Sequence, residues 1–231
     1  MNIPILSEIV NLFFPRVCEV CGNGLVQGET IICIGCYINL PRTDYHIQPE
    51  NKTAYLLAGR IPFKRASSYF YYTKQSDYTN IIHALKYNGK QKNGVYFGEL
   101  FGHELKECGF CEGIDCIIPV PLHKKRFRER GYNQSLCIAK GISKATGIAI
   151  YDTSVTRIVY NRTQTKKTKI ERFENVEDIF QLEENHLLTN KHVLLVDDII
   201  TTGATIESLA LALETVEGIE ISIASLAIAD Y

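Results

Sequence analysis

The stretch His192-Val193-Leu194-Leu195-Val196-Asp197-Asp198-Ile199-Ile200-Thr201-Thr202-Gly203-Ala204-Thr205 decides how the rest of the chain is read. Val193 to Val196 is an apolar, partly β-branched run, the pattern of a strand buried on both faces of a sheet. Asp197 and Asp198 put two carboxylates at the carboxyl end of that strand, where ligands sit in an open α/β sheet. Thr201 to Thr205 form a small, hydroxyl-rich turn with one glycine, and Ile206 to Leu213 reads as a helix behind it. A glycine turn at a helix start offers backbone N–H groups and the positive dipole end to an anion, usually phosphate. The paired carboxylates suit the vicinal hydroxyls of a sugar, or a hydrated Mg2+.

Two other folds carry parts of this pattern. A receiver domain has an Asp pair after an apolar strand, but near its start, whereas this pair lies late and precedes a phosphate-type turn. A P-loop would need a Gly-Lys-Ser/Thr ending, which the turn lacks. The plain structural alternative is a buried strand that ends in a polar turn. The run itself resembles the phosphoribosyl-pyrophosphate (PRPP) motif of type I phosphoribosyltransferases. That resemblance implies an open, mainly parallel sheet flanked by helices. It also implies that Asp197 and Asp198 hold the ribose 2- and 3-hydroxyls, and that Thr201, Thr202, Gly203, Ala204 and Thr205 hold the 5-phosphate.

Upstream, Ile117-Ile118-Pro119-Val120-Pro121 reads as a second buried strand with a stiffened exit. It leads into Leu122-His123-Lys124-Lys125-Arg126-Phe127-Arg128-Glu129-Arg130-Gly131, read as a strongly basic loop, and then into a helix ending at Ala145-Thr146-Gly147. Lys124, Lys125, Arg126, Arg128 and Arg130 thus gather positive charge at the sheet edge that carries Asp197; a solvated basic loop is the plainer reading. Asn161 to Val176 is polar and basic with no apolar period, and is expected to be a long lid-like loop carrying Lys166, Lys167 and Arg172. Ala66 to Thr73 and Ile219 to Ala229 are expected strands. Asp77 to Tyr87 and Val95 to Lys106 are expected helices, with Lys86 in the last turn of the first as a favourable dipole partner. Pro41 to Gly59 is polar and turn-rich, as in a linker.

Near the start, Cys18, Cys21, Cys33 and Cys36 form two Cys-x-x-Cys knuckles. Four soft thiolates in this spacing match a closed, structural, tetrahedral Zn2+ site. Cys108, Cys111 and Cys116 have no fourth partner at a knuckle spacing and read as buried or incidental thiols, and Cys137 as a helix core residue. Residues 5 to 14 fit a short amphipathic helix that docks the terminus. The N-terminus lacks a basic leader and is too short to span a bilayer, so a cytosolic location with reduced thiols is the expectation. A formal net charge of −1 over 231 residues excludes a global pull toward nucleic acid or membrane and leaves only local patches.

The four-Cys module, the strand-to-basic-loop Pro-Val-Pro-Leu-His-Lys-Lys-Arg, the lid region Arg162-Thr163-Gln164 with Glu171-Arg172, and the PRPP motif follow one another in one order. Together they are similar to the ComF family of competence-associated, phosphoribosyltransferase-like proteins. The resemblance implies a zinc ribbon over residues 1–45 and a phosphoribosyltransferase-like domain over 60–231. It further implies PRPP with Mg2+ as ligand, Leu122, His123 and Lys124 as the pyrophosphate loop, and Arg172 as the lid's cation. The reaction would move a phosphoribosyl group to an acceptor not yet defined, within DNA uptake and beside the proteins of the uptake machinery. The alternative is a single-stranded DNA-binding protein with a regulatory or vestigial pocket, using the basic segments and the aromatic Phe127, Tyr132 and Phe173. An amidophosphoribosyltransferase is disfavoured, because Met1-Asn2 leads to a ribbon and nothing supplies ammonia.

Overall fold

Val193 and Leu195 point to one side of their strand, and Leu194 and Val196 to the other. Each pair joins a different hydrophobic core. That is why the run is apolar without alternation: helices cover both faces of the sheet. The computed structural model describes residues 16–87, 89–159, 179–183 and 185–230. The expected helix at 5–14 and the expected lid, with Lys166, Lys167, Arg172 and Phe173, lie outside the described residues.

The main sheet has the order β1-β7-β6-β2-β3, every neighbouring pair parallel. Its strands are β1 (Ala66–Tyr72), β2 (Cys116–Pro119), β3 (Ala149–Ile150), β6 (His192–Ile200) and β7 (Glu220–Ala229). A small antiparallel pair, β4 (Val155–Arg157) and β5 (Phe180–Leu182), stands apart from it. One face carries α3 (Thr79–Tyr87), α4 (Gln91–Glu107) and α6 (Gln134–Thr146); the other carries α2 (Lys52–Leu57) and α7 (Ala204–Leu213). From β2 the chain crosses through α6 to the edge strand β3, then returns to lay β6 on the other side of β2. The reversal of strand order between β2 and β6 opens a crevice at their carboxyl ends.

Helices α4 and α6 touch backbone to backbone. A Cβ on Gly98 would stand 2.2 Å from the Ile138 carbonyl oxygen, and one on Gly141 would stand 2.2 Å from that of Val95. Only glycine permits this approach, which fixes α6 and hence its first residues over the crevice.

The four-Cys segment, which includes the short helix α1 (Ile34–Ile38), does not hang free of the sheet. Cys18, Val20, Ile32 and Leu40 are buried in the same core as α3 and α4. The Tyr78 hydroxyl donates to the Cys36 carbonyl at 3.0 Å, and Lys90 pairs with Glu19 at 2.6 Å. The stretch 41–59 is not a free linker either. Tyr71 N–H donates to the Pro41 carbonyl at 2.9 Å and Thr43 N–H to that of Tyr69 at 3.1 Å, so the stretch covers the outer edge of β1. Buried Asn51 then caps α2, accepting from Ala54 N–H at 3.0 Å and donating to the Ala66 carbonyl at 2.9 Å. Its polarity serves hydrogen bonding to the body rather than solvation.

The basic segment after β2 is also ordered differently from expectation. It forms a short helix, α5 (Lys124–Arg130), rather than a loop. Its ends hold it: His123 Nδ1 accepts from Lys125 N–H at 3.2 Å, and Gly131, at φ 78°, closes it in the left-handed conformation. No residue of α5 is buried, so the segment has no apolar period from which a helix could be read.

Candidate functional site

Strand β6 outruns its neighbour. Pro119, the last residue of β2, pairs with Val196, and Val120 N–H donates to the Val196 carbonyl at 2.8 Å. On the other side β7 goes on pairing through Ile200 opposite Ile228. The strand expected over Val193–Val196 therefore continues through Asp197 and Asp198. Both carboxylates stand where β2 has left the edge of the sheet, at the point where strand order reverses.

Residues far apart in the chain hold the pair. Asp197 Oδ1 accepts from Asp198 N–H at 2.8 Å and from the Ser135 hydroxyl, in the first turn of α6, at 3.1 Å. Asp198 Oδ2 lies 3.2 Å from Lys86 Nζ at the end of α3. Burial, and then the adjacent Asp198 carboxylate, push Asp197 up to about 7, against the pull of those donors. A carboxyl poised there changes charge when a cation or hydroxyl donors arrive. Burial and Arg126 lower the Arg157 guanidinium while Asp197 raises it, which puts this β4 side chain within electrostatic reach of both.

The turn after β6 has the geometry of an anion cradle. Thr201 and Thr202 are exposed, and Gly203, at φ 76°, is the N-cap of α7 with no side-chain cap hydrogen bond. A Cβ on Gly203 would meet Leu57 Cδ2 at 2.9 Å, so α2 presses the turn from below. Arg60 Nη1 donates to the Thr202 carbonyl at 2.7 Å, and its other nitrogen pairs with Glu207. Ala204 and Thr205 begin the helix, half-buried, and the Ala204 N–H donates to Thr202 Oγ1 at 3.4 Å, so the Thr202 hydroxyl faces the same N-terminus.

On the β2 side, Asn133 Nδ2 donates to the Val120 carbonyl at 3.0 Å and fixes the strand exit. Leu122 and His123 follow, half-buried, and Lys124, Lys125 and Arg128 are exposed. Arg126 and Arg130 turn instead toward α3, where with Lys86, Tyr87 and Glu129 they line a cavity of 340 Å3. Tyr132, one of the aromatics named for the DNA-binding alternative, is buried, its hydroxyl donating to the Leu85 carbonyl. That bond ties the end of α3, and so Lys86, to the segment joining α5 and α6.

At the other end of α3, the ligand atoms of Cys18, Cys21, Cys33 and Cys36 all lie within 4.8 Å of one another. Cys33 N–H donates to Cys18 Sγ at 3.3 Å, and Cys36 N–H to Cys33 Sγ at 3.5 Å. Burial opposes the Cys18 thiolate, but the N–H groups of Cys21, Cys33 and Val20 prevail and bring it down to about 7. Four such sulfurs could hold a soft tetrahedral ion such as zinc. Burial pushes Cys111 and Cys116 each up to about 11, the mark of inert thiols; Cys108 is exposed.

Residues 135–230 match the phosphoribosyl transferase domain model. The chain is 27% identical to the DNA utilization protein YhgH of Salmonella typhimurium over 201 residues, covering 84% of this chain and 82% of that protein. It is 33% identical to competence protein F of Haemophilus influenzae over 49% of this chain and 50% of that one. With competence protein ComFC of Bacillus subtilis the identity is 26%, over 83% of this chain and 68% of the other. These similarities support the resemblance to the ComF family. A type I phosphoribosyltransferase fold behind an N-terminal four-Cys cluster is the chain's architecture. No described helix is long and apolar enough to cross a membrane.

Three site residues escaped the sequence reading. Lys86 reads from sequence mainly as a dipole partner, with a ligand contact as the lesser reading, and the structure sets it facing Asp198. Ser135 had a usable signal, since it opens the helix that follows the basic segment. Arg157 had none.

Proposed function

We propose that this protein binds PRPP with Mg2+ and transfers its phosphoribosyl group to an acceptor during the cytosolic handling of incoming DNA. The observation that carries the reading is the Asp197–Asp198 pair at a vacated strand edge, one turn ahead of a helix N-terminus whose N-cap is Gly203. The carboxylates would accept from the ribose 2- and 3-hydroxyls. Thr201 to Thr205 would receive the 5-phosphate, and Leu122, His123 and Lys124, with Arg172 from beyond the described residues, the pyrophosphate. As the anomeric C–O bond breaks, negative charge gathers on the leaving pyrophosphate, and fixed cations there stabilise it more than they stabilise the ground state. Mg2+ would supply further charge neutralisation on the same oxygens.

The four thiols would hold one structural Zn2+. In a tetrahedral zinc–thiolate set with bonds of ~2.3 Å, sulfurs stand about 3.8 Å apart, and Cys21 Sγ and Cys33 Sγ are 3.8 Å apart. Relatives named for competence and for DNA utilization support the biological setting, with proteins of the uptake machinery as further partners. A second reading, a non-catalytic single-stranded DNA-binding protein with a regulatory PRPP pocket, draws on the exposed cations of α5.

Pyrophosphate release separates the two. The full-length protein is incubated with PRPP, Mg2+ and a panel of nucleobases, nucleotides and oligonucleotides. Acceptor-dependent release that disappears in Asp197→Asn/Asp198→Asn is the expected result. PRPP binding with no release on any acceptor would favour the second reading.

A further inference from the structure

Among the described residues, the 340 Å3 cavity between the end of α3 and the face of α5 has a lining that the donor site does not account for. Three of its five side chains are cations, Lys86, Arg126 and Arg130, against one acid, Glu129. Its fifth is Tyr87, 70% exposed. The Arg130 guanidinium carbon stands 5.6 Å from the Tyr87 ring centroid, and Arg130 is held from behind by a 2.9 Å bond to Gln134 Oε1. Phe127, 49% exposed, lies on the same short helix. A large exposed aromatic ring beside two guanidinium groups, one of them held by Gln134, asks for a ligand that is both flat and anionic. The ring offers a stacking face, and the planar forks match phosphate oxygens. The volume lies at the lower end of the range for small-molecule sites, about 300–1,000 Å3.

Lys86 belongs to two sites at once. It lines the cavity, and its ammonium is 3.2 Å from Asp198. A phosphate entering the cavity competes with Asp198 for that ammonium, and anything that neutralises Asp198 releases it.

We propose that this cavity binds one nucleotide unit, its base against Tyr87 and its phosphate on Arg126 and Arg130, and that Lys86 couples its occupancy to that of the Asp197–Asp198 pair. The coupling, but not the cavity itself, rests on the PRPP reading given above. The unit could be a free nucleotide or one residue of a single strand, because both present a base and a phosphate.

Two fluorescent or calorimetric probes distinguish these sources: adenosine monophosphate and a labelled oligodeoxythymidylate. Both are titrated into the full-length protein, into Tyr87→Ala, and into Arg126→Ala/Arg130→Ala, with Lys140→Ala, an exposed lysine outside both sites, as a surface control. Thermal midpoints and circular dichroism of each variant establish that it folds. Wild-type binding of at least one probe is expected, weakened about tenfold or more by Tyr87→Ala, as loss of a base–aromatic stack implies. The double arginine variant should weaken it further and flatten its salt dependence, while Lys140→Ala changes it less than twofold. Binding of the oligonucleotide alone assigns the unit to a strand; binding of the monophosphate assigns it to a free nucleotide. Wild-type-like binding by folded Tyr87→Ala and double variants overturns the site, as does failure of the wild type to bind either probe. If the wild type binds the oligonucleotide through Tyr87 but does not bind PRPP, the cavity stands and the PRPP reading falls. If PRPP binds but leaves probe affinity unchanged in the wild type, the coupling through Lys86 is wrong.

Discussion

Compare the four thiols with the two carboxylates. Cys18, Cys21, Cys33 and Cys36 come from one short stretch, turn on their own knuckles and take hydrogen bonds mainly from each other's backbone. Asp197 and Asp198 are adjacent in sequence, yet their partners come from α3, α6 and β4. Both sites crowd groups that repel when ionised. A single ion held by the four thiols would relieve the repulsion there. The carboxylates are relieved in part by Lys86 and Ser135, and Asp197 remains pushed up to about 7. A local cluster of this kind serves stability, while a cluster assembled from distant elements and left partly unrelieved is suited to a ligand.

The largest effect should come from the local cluster. Structural zinc contributes ~10–16 kcal/mol in isolated zinc-finger peptides, and here the segment supplies Cys18, Val20 and Ile32 to the main core. Elemental analysis should find one Zn per chain. Chelation, or Cys18→Ser/Cys33→Ser, should lower the thermal midpoint by more than ~10 °C. A metal-free chain that melts like the wild type would remove the contrast between the two sites.

The distant cluster should respond more mildly. Lys86→Ala leaves the buried Asp198 carboxylate without its cation, and should cost ~1–3 kcal/mol in denaturant unfolding. Adding Asp198→Asn should restore most of that loss, which a double-mutant cycle reads directly. Additive losses would mean that the two groups do not interact.

The smallest effect is a gain. Asp197 has a folded pKa of about 7, above its ordinary value of 3.8. Between those values the folded state keeps a proton that the unfolded chain gives up, so this carboxyl's contribution to stability falls as pH rises through that window. Asp197→Asn keeps an oxygen for Ser135 and for Asp198 N–H. It should melt ~2–4 °C above wild type at pH 8, with the difference vanishing near pH 4. Equal midpoints at pH 8 would show that the pair is not under electrostatic tension.

The same contrast explains what the sequence made legible. The thiol spacing, the apolar run Val193–Val196 and the glycine turn at Gly203 are local patterns with local causes, and the structure places a strand and a turn where they predict one. The knuckles are likewise brought together. The continuation of β6 to Ile200 was not legible, because it depends on β7 remaining alongside while β2 stops at Pro119. Helix α5 was hidden because it buries nothing and is defined by His123 and Gly131 at its ends. The stretch 41–59 looked like a linker because strand-edge hydrogen bonding and solvation call for the same polar residues. Lys86 could be placed on its helix but not opposite Asp198, since that pairing exists only once α3 is tied down through Leu85 and Tyr132.

The most direct test of the site is a calorimetric titration of PRPP with Mg2+ into the full-length wild type and into Asp197→Asn/Asp198→Asn. Hydrogen bonds to charged groups contribute about 1.5–3 kcal/mol each, so loss of two should weaken binding by ~100-fold or more. Wild-type binding that collapses in the folded double variant is the predicted result. A wild type that does not bind PRPP, or a double variant that binds it equally well, would contradict the account.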